Sequence, residues 1–261
     1  MNTTLHPCRL FNVILLSTCL ISGCATEDTK LETDHWEGFN RSMLAFNDDV
    51  DNLILKPTAT AYLWSTPEFI DTGITNFFNN LDDIGVAIND VLQCKWLQGG
   101  QDFGRFLLNT SVGVAGFVDV GTMLDLQRHD EDFDQTLAVW GVPAGNYLVL
   151  PFVGSSSTRG VFGLLGDTIL HPLSYTFLLG GGIVSVASIS SSAVDVTDRR
   201  AGLLSTEKII NEAAAVDRYD FLKNTYWQRR NYLIHDGQVP DSDIDDAISD
   251  SIITPPTKST K

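Results

Sequence analysis

Four residues, Ile21-Ser22-Gly23-Cys24, constrain this chain more than any other stretch. They close a short apolar run over residues 10–21 that follows Arg9, so a basic start, an apolar segment and small residues precede a cleavage point, as in a secretory signal. The residue after the cut is a cysteine, and Ile-Ser-Gly-Cys has the form of a bacterial lipobox, in which that cysteine is lipidated and becomes the mature N-terminus. Cys19 also lies in the run, but Ser17-Thr18 before it lacks the small Gly or Ala. Ala25 rather than Asp follows Cys24, the pattern of an outer-membrane address. Two or more acyl chains give stable anchoring, so the rest of the chain is expected to be tethered to a membrane facing the periplasm. An ordinary signal peptide ending by chance at a cysteine is the plainer alternative.

The anchor splits the chain into a signal peptide over residues 1–23, a polar, aperiodic tether over 24–35, a body over 36–234 and an aspartate-rich tail over 235–261 that has little to bury. The formal net charge of the 261 residues is −16. Such a chain is repelled by phosphate backbones and anionic headgroups, which argues against nucleic acid and leaves apolar or covalent contact with a membrane. Cys8 and Cys19 leave with the signal and Cys24 carries lipid, so Cys94 has no partner in the mature chain and the core is expected to hold without an internal disulfide.

The body reads as helices. Phe39, Met43, Phe46 and Val50 share one helical face, closed by Lys56-Pro57. Thr66-Pro67-Glu68 starts a second helix whose face carries Phe69, Ile70, Gly73, Ile74, Phe77, Phe78 and Leu81, followed by a further segment through Leu92, ended by Gly99-Gly100. Residues 101–109 read as helix, and the acidic cluster at 129–134 as a solvated start to a helix stopped by Gly141. Residues 147–150 are the one convincing strand. Gly160, Gly163 and Gly166 mark a small-residue face for close packing. Between Asp167 and Asp195 there is no formal charge, yet Pro172 and Gly180-Gly181-Gly182 break the run, so residues 168–194 are expected to lie in one leaflet without spanning it. Residues 207–234 read as one long helix.

No catalytic set emerges. His35, His129, His171 and His235 form no metal spacing with cysteine or one another. Asp130, Asp132 and Asp134 imitate a calcium loop, but Gln135 and Gly141 stand where glycine and glutamate are required. Gly154-Ser155-Ser156-Ser157-Thr158 lacks the closing glycine of a nucleophile elbow. The carboxylates Asp82-Asp83 read as exposed helix termini. No cofactor, metal or enzyme activity is expected.

A resemblance runs through the whole body. Trp36-Glu37-Gly38-Phe39-Asn40-Arg41, Asn76-Phe77-Phe78-Asn79-Asn80-Leu81, Asn89-Asp90-Val91-Leu92-Gln93, Arg105-Phe106-Leu107-Leu108-Asn109-Thr110, His129-Asp130-Glu131-Asp132-Phe133, Tyr147-Leu148-Val149-Leu150-Pro151 and Gln228-Arg229-Arg230 occur in order, and the chain resembles the MlaA (VacJ) family of outer-membrane lipoproteins. The family usually has Gly at the positions of Cys94, Asp134 and Ala138, Pro at Asn146 and Asp at Gly160. The resemblance implies an all-α fold: a disc- or ring-like bundle of amphipathic helices embedded in the periplasmic leaflet of the outer membrane, with a central amphipathic pore. It implies retrograde transport of mislocalised outer-leaflet phospholipid, association with a trimeric porin, and delivery to a soluble periplasmic carrier, MlaC, so that lipid asymmetry is maintained. The residues expected to matter are Cys24 as lipid anchor and Phe39, Asn40, Phe46, Asn47, Asn76, Phe77 and Asn80 as a candidate pore or gating region. The competing readings are a scaffolding lipoprotein bound to porins without lipid transport and, disfavoured by the missing nucleophile and base, a lipid-cleaving enzyme.

Overall fold

The computed structural model of the protein describes residues 34–172, 174, 181–214 and 217–237. The lipobox, most of the tether, residues 173 and 175–180 of the uncharged run at 168–194 and nearly all of the acidic tail lie outside them.

The first helix, α1 (Glu37–Val50), does not stop before Pro57. It passes into a π-helical turn, Asp51–Leu55, and on into α2 (Lys56–Ser65). The wider turn resolves the conflict that proline creates in a helix: Lys56 N–H bonds back to Asp51 rather than to the residue four before it, and Pro57 begins the next α-helix, where its missing donor is tolerated. The two segments expected over residues 66–92 are one helix, α3 (Glu68–Leu92), with Pro67 extended before it. It ends at Cys94 in the left-handed conformation, φ 67°, where glycine would fit at no steric cost. Gly99 and Gly100 therefore do not end this helix; they lie inside α4 (Trp96–Ser111). There Gly99 permits close approach, since a Cβ would stand 2.9 Å from Cβ of Asp90.

Residues 112–118 turn through left-handed Val114, Ala115 and Gly116 into the short α5 (Val120–Met123), capped by Asp119. Asp132 caps α6 (Phe133–Val139) by accepting from Gln135 N at 2.8 Å, as the acidic cluster suggested. Strand β1 (Tyr147–Leu150) pairs antiparallel with β2 (Gly154–Ser157), register Tyr147↔Ser157 to Leu150↔Gly154. Helix α7 (Thr158–Leu170) follows, with Gly163 against Asp134 and Gly166 against the Phe133 ring. Then come α8 (Gly181–Leu203), α9 (Glu207–Ala213) and α10 (Arg218–Ile234). The single long helix expected at 207–234 is thus two, the second capped by Asp217, which accepts from Tyr219 N and Asp220 N.

The distribution of polarity is inverted. Among the described residues the buried side chains include nine apolar and seventeen polar or charged ones. In α3 the buried positions include Asn80, Asp83, Asn89 and Asp90, while Phe69, Ile88 and Val91 are exposed. Trp64 is 90% and Leu97 92% exposed. Water would not favour so much outward apolar surface around so polar an interior. The chief apolar nucleus is small: Tyr147, Val149 and Tyr219, with Met43, Leu44, Tyr226 and Trp227 packed on it. No described helix is long and apolar enough to cross a membrane.

Candidate functional site

The interior holds a cavity of about 940 Å³ whose walls come from α3, the 125–132 segment, α6, β2, α7, α8 and α10. Its lining mixes apolar side chains, Val86, Leu164, Leu222 and Leu233, with charged ones, Asp82, Arg128, Asp130, Asp132, Asp134, Asp167, Arg199, Arg229 and Arg230.

Most of these charges are held in pairs, as burial demands. Arg230 bridges Asp132 at 2.6 Å and Asp134 at 2.8 Å, and Arg159 reaches Asp134 from behind at 2.6 Å. Arg199 meets Asp82 at 2.6 Å, and the same carboxylate meets His171 at 3.2 Å. Burial alone would raise the Asp82 pKa, but the hydrogen bonds from His171 and Arg199 outweigh it and bring it below the usual carboxylate range. Arg128 bonds Asp83 at 3.0 Å. Asp167 accepts from Phe133 N at 2.8 Å and from no basic side chain among the described residues, and burial lifts its pKa to about 6.

A second layer of buried polar groups fixes these walls. Arg105, almost wholly buried on α4, grips Asp119 with both terminal nitrogens, 2.9 and 3.0 Å, and bonds Thr122 and the Leu126 carbonyl. Burial pushes the Asp119 carboxyl up, but bonds from Thr122, Arg105 and Asn109 draw its pKa down to about 2. Glu131 is held by Lys95 at 2.7 Å and Gln93 at 2.7 Å. Asp90 is fully buried and faces Asp102, whose other oxygen meets His129 Nδ1 at 2.8 Å. Two carboxylates are both acceptors, so the bond open between them runs through a shared proton. Burial first and Asp102 second push the Asp90 pKa to about 8. Among the described residues no group of three or more His, Cys, Asp or Glu is placed to hold a metal ion.

None of the seven residues proposed from sequence for a pore or gate lines this cavity. Asn40, fully buried, donates to the Tyr147 carbonyl at 3.0 Å and to the Tyr219 hydroxyl at 3.2 Å, and accepts from Val149 N at 2.8 Å. Two turns later Asn47 donates to the Leu150 carbonyl and accepts from Phe152 N, each within 2.9 Å. These two amides clamp the hairpin onto α1, with Phe46 edge-on to Phe152 at 5.2 Å. Phe39 is exposed and meets Trp36 edge-to-face. Asn76 donates to the Phe117 carbonyl and Asn80 to the Thr110 hydroxyl, so both hold the 110–117 turn, and Phe77 packs on Phe78. Cys24 lies outside the described residues. The cavity residues missed as a site include Asp82, His171, Arg199, Arg229 and Arg230. Asp82-Asp83 is not a pair of exposed termini: Asp83 is buried in mid-helix because Arg128 and Arg105 reach it. Charged side chains inside apolar-rich helices were the available signal.

The sequence over residues 32–233 matches the family described as MlaA lipoprotein. The chain is 33% identical over 234 residues to the "Intermembrane phospholipid transport system lipoprotein MlaA" of Escherichia coli (strain K12), covering 87% of this chain and 90% of that protein. The protein of the same name from Haemophilus influenzae is 30% identical over 235 residues, covering 87% and 91%. A solved structure described as the structural basis for maintenance of bacterial outer membrane lipid asymmetry aligns at a TM-score of 0.65 and 32% identity, covering 78% of this chain and all of that one.

Proposed function

The chain belongs to the MlaA lipoprotein family, and from that premise we propose that it is the outer-membrane component of an intermembrane phospholipid transport system, removing phospholipid from the outer leaflet to maintain lipid asymmetry. The observation that carries the reading is the inverted polarity: an apolar exterior around a cavity lined by both charged and apolar side chains. A headgroup crossing the apolar interior of a leaflet costs several kcal/mol or more unless polar groups replace its water. A polar-walled cavity behind an apolar rim lowers that cost while giving the acyl chains Val86, Leu164, Leu222 and Leu233 to lie against.

In this reading the body sits as a disc in the periplasmic leaflet, Cys24 carries the lipid anchor, a trimeric porin holds the protein in place and MlaC receives the lipid. Asn40, Asn47, Asn76 and Asn80 shape the passage indirectly, by fixing the hairpin and the 110–117 turn. The protein moves lipid without cleaving it.

The test is reconstitution. Full-length lipidated protein in vesicles should hand intact phospholipid to purified MlaC faster than empty vesicles do. Transfer equal to that of empty vesicles, or the appearance of lysophospholipid, would overturn the reading.

A further inference from the structure

Pairing off the charges in the cavity leaves a remainder. Arg128, Arg199 and Arg230 each meet a carboxylate, and Glu131 meets Lys95. Arg229 is the one cavity arginine without a carboxylate partner among the described residues, and Asp130 has no side-chain partner there either. Asp167, bonded to the Phe133 N–H and the Asn89 amide, has no cation within bonding distance among the described residues. One uncompensated cation thus shares an amphipathic cavity with uncompensated carboxylates.

The geometry points to a dipolar headgroup site, and this assignment rests on the transport reading above. Arg229 takes the phosphate, since a guanidinium suits phosphate oxygens. Asp130, aided by Asp167, takes a cationic group on the same headgroup. A zwitterionic, primary-amine phospholipid, phosphatidylethanolamine, satisfies both ends. Phosphatidylglycerol satisfies Arg229 equally but brings only hydroxyls to Asp130. The cavity therefore selects for the amine, and Asp130 is the specificity-determining residue. Arg229 and Asp130 are both exposed, and Asp130 holds Gln135 only through its backbone carbonyl, so neutral replacements are expected to leave the chain folded.

The experiment incubates full-length protein in detergent with mixed micelles containing equal amounts of dioleoyl phosphatidylethanolamine and dioleoyl phosphatidylglycerol. It then reads the lipid retained after repurification by mass spectrometry. Wild type should retain the ethanolamine lipid over the glycerol lipid by about fivefold, the factor of one solvent-screened ion pair. Asp130→Asn should bring that ratio near one with total lipid little changed. Arg229→Gln should reduce retention of both lipids alike. Equal retention by wild type, or a preference that Asp130→Asn leaves intact, would overturn the assignment. Retention of neither lipid would overturn the transport reading, and the headgroup site with it.

Discussion

Replacing Asp90 by asparagine should stabilise this protein, and the gain should grow with pH. Asp90 is 0% exposed and faces Asp102 on the neighbouring helix. Its pKa rises from 3.8 to about 8 in the fold, because burial disfavours the charge and Asp102 repels a second one. A raised carboxyl pKa means that the folded chain keeps a proton which the unfolded chain releases. That contribution to stability is complete below pH 3.8 and is lost as pH rises through about 8. One retained proton corresponds to about 1.4 kcal/mol per pH unit, so the loss approaches about 4 kcal/mol between pH 4 and pH 7. The Asp90→Asn amide donates to Asp102 at every pH and carries no such slope. Urea unfolding of both proteins in the same detergent, followed by tryptophan fluorescence at pH 4.5, 5.5, 6.5 and 7.5, isolates the effect as a difference. The two should be nearly equal at pH 4.5, with the variant ahead by a margin that widens at each step. Parallel pH profiles, or a variant weaker than wild type at pH 7.5, would refute the shared-proton argument.

Further outcomes follow from the packing. Asn40→Ala strips the Tyr147 carbonyl and Val149 N–H of their buried partner; a loss of about 2–4 kcal/mol is expected in a urea titration, and an unchanged midpoint would show that the hairpin does not depend on α1. Gly73→Ala would put a Cβ 2.0 Å from Cζ of Phe117, so displacement of that ring should cost about 1–3 kcal/mol, read as a lower Tm. Cys24→Ala should leave the precursor without acyl chains and stop its stable delivery to the membrane; an unmodified N-terminus in the wild-type mature protein, by mass spectrometry, would contradict this.

Where the chain obeys local rules, it could be read directly. Residues 147–150 form the expected strand, Asp132 caps the helix that the acidic cluster announced, and Gly163 and Gly166 allow the close packing that their spacing implied. Three boundaries went astray because tertiary structure overrode a local signal. A π-helical turn absorbs Pro57; Gly99 serves contact with Asp90 rather than termination; Asp217 starts a new helix inside an apparently continuous pattern. The site was less legible than the fold. Periodicity marks the apolar face of each helix, and the usual inference turns that face toward a core. Here Asp83, Asp90 and Arg105 face inward and Phe69, Leu97 and Phe103 outward, so the charged cavity falls on the faces that ordinarily meet solvent. The asparagines of the ordered blocks drew the eye, yet their amides are committed to the hairpin and to the 110–117 turn.

The most direct test of the transport account is made on intact cells. A membrane-impermeant, amine-reactive reagent modifies phosphatidylethanolamine only where the headgroup faces outward, and mass spectrometry counts the modified lipid. Cells lacking this chain should show more surface-labelled phosphatidylethanolamine than their parent, and wild-type chain expressed in trans should restore the parental level. Equal labelling with and without the chain, in a strain with no second copy, would contradict it.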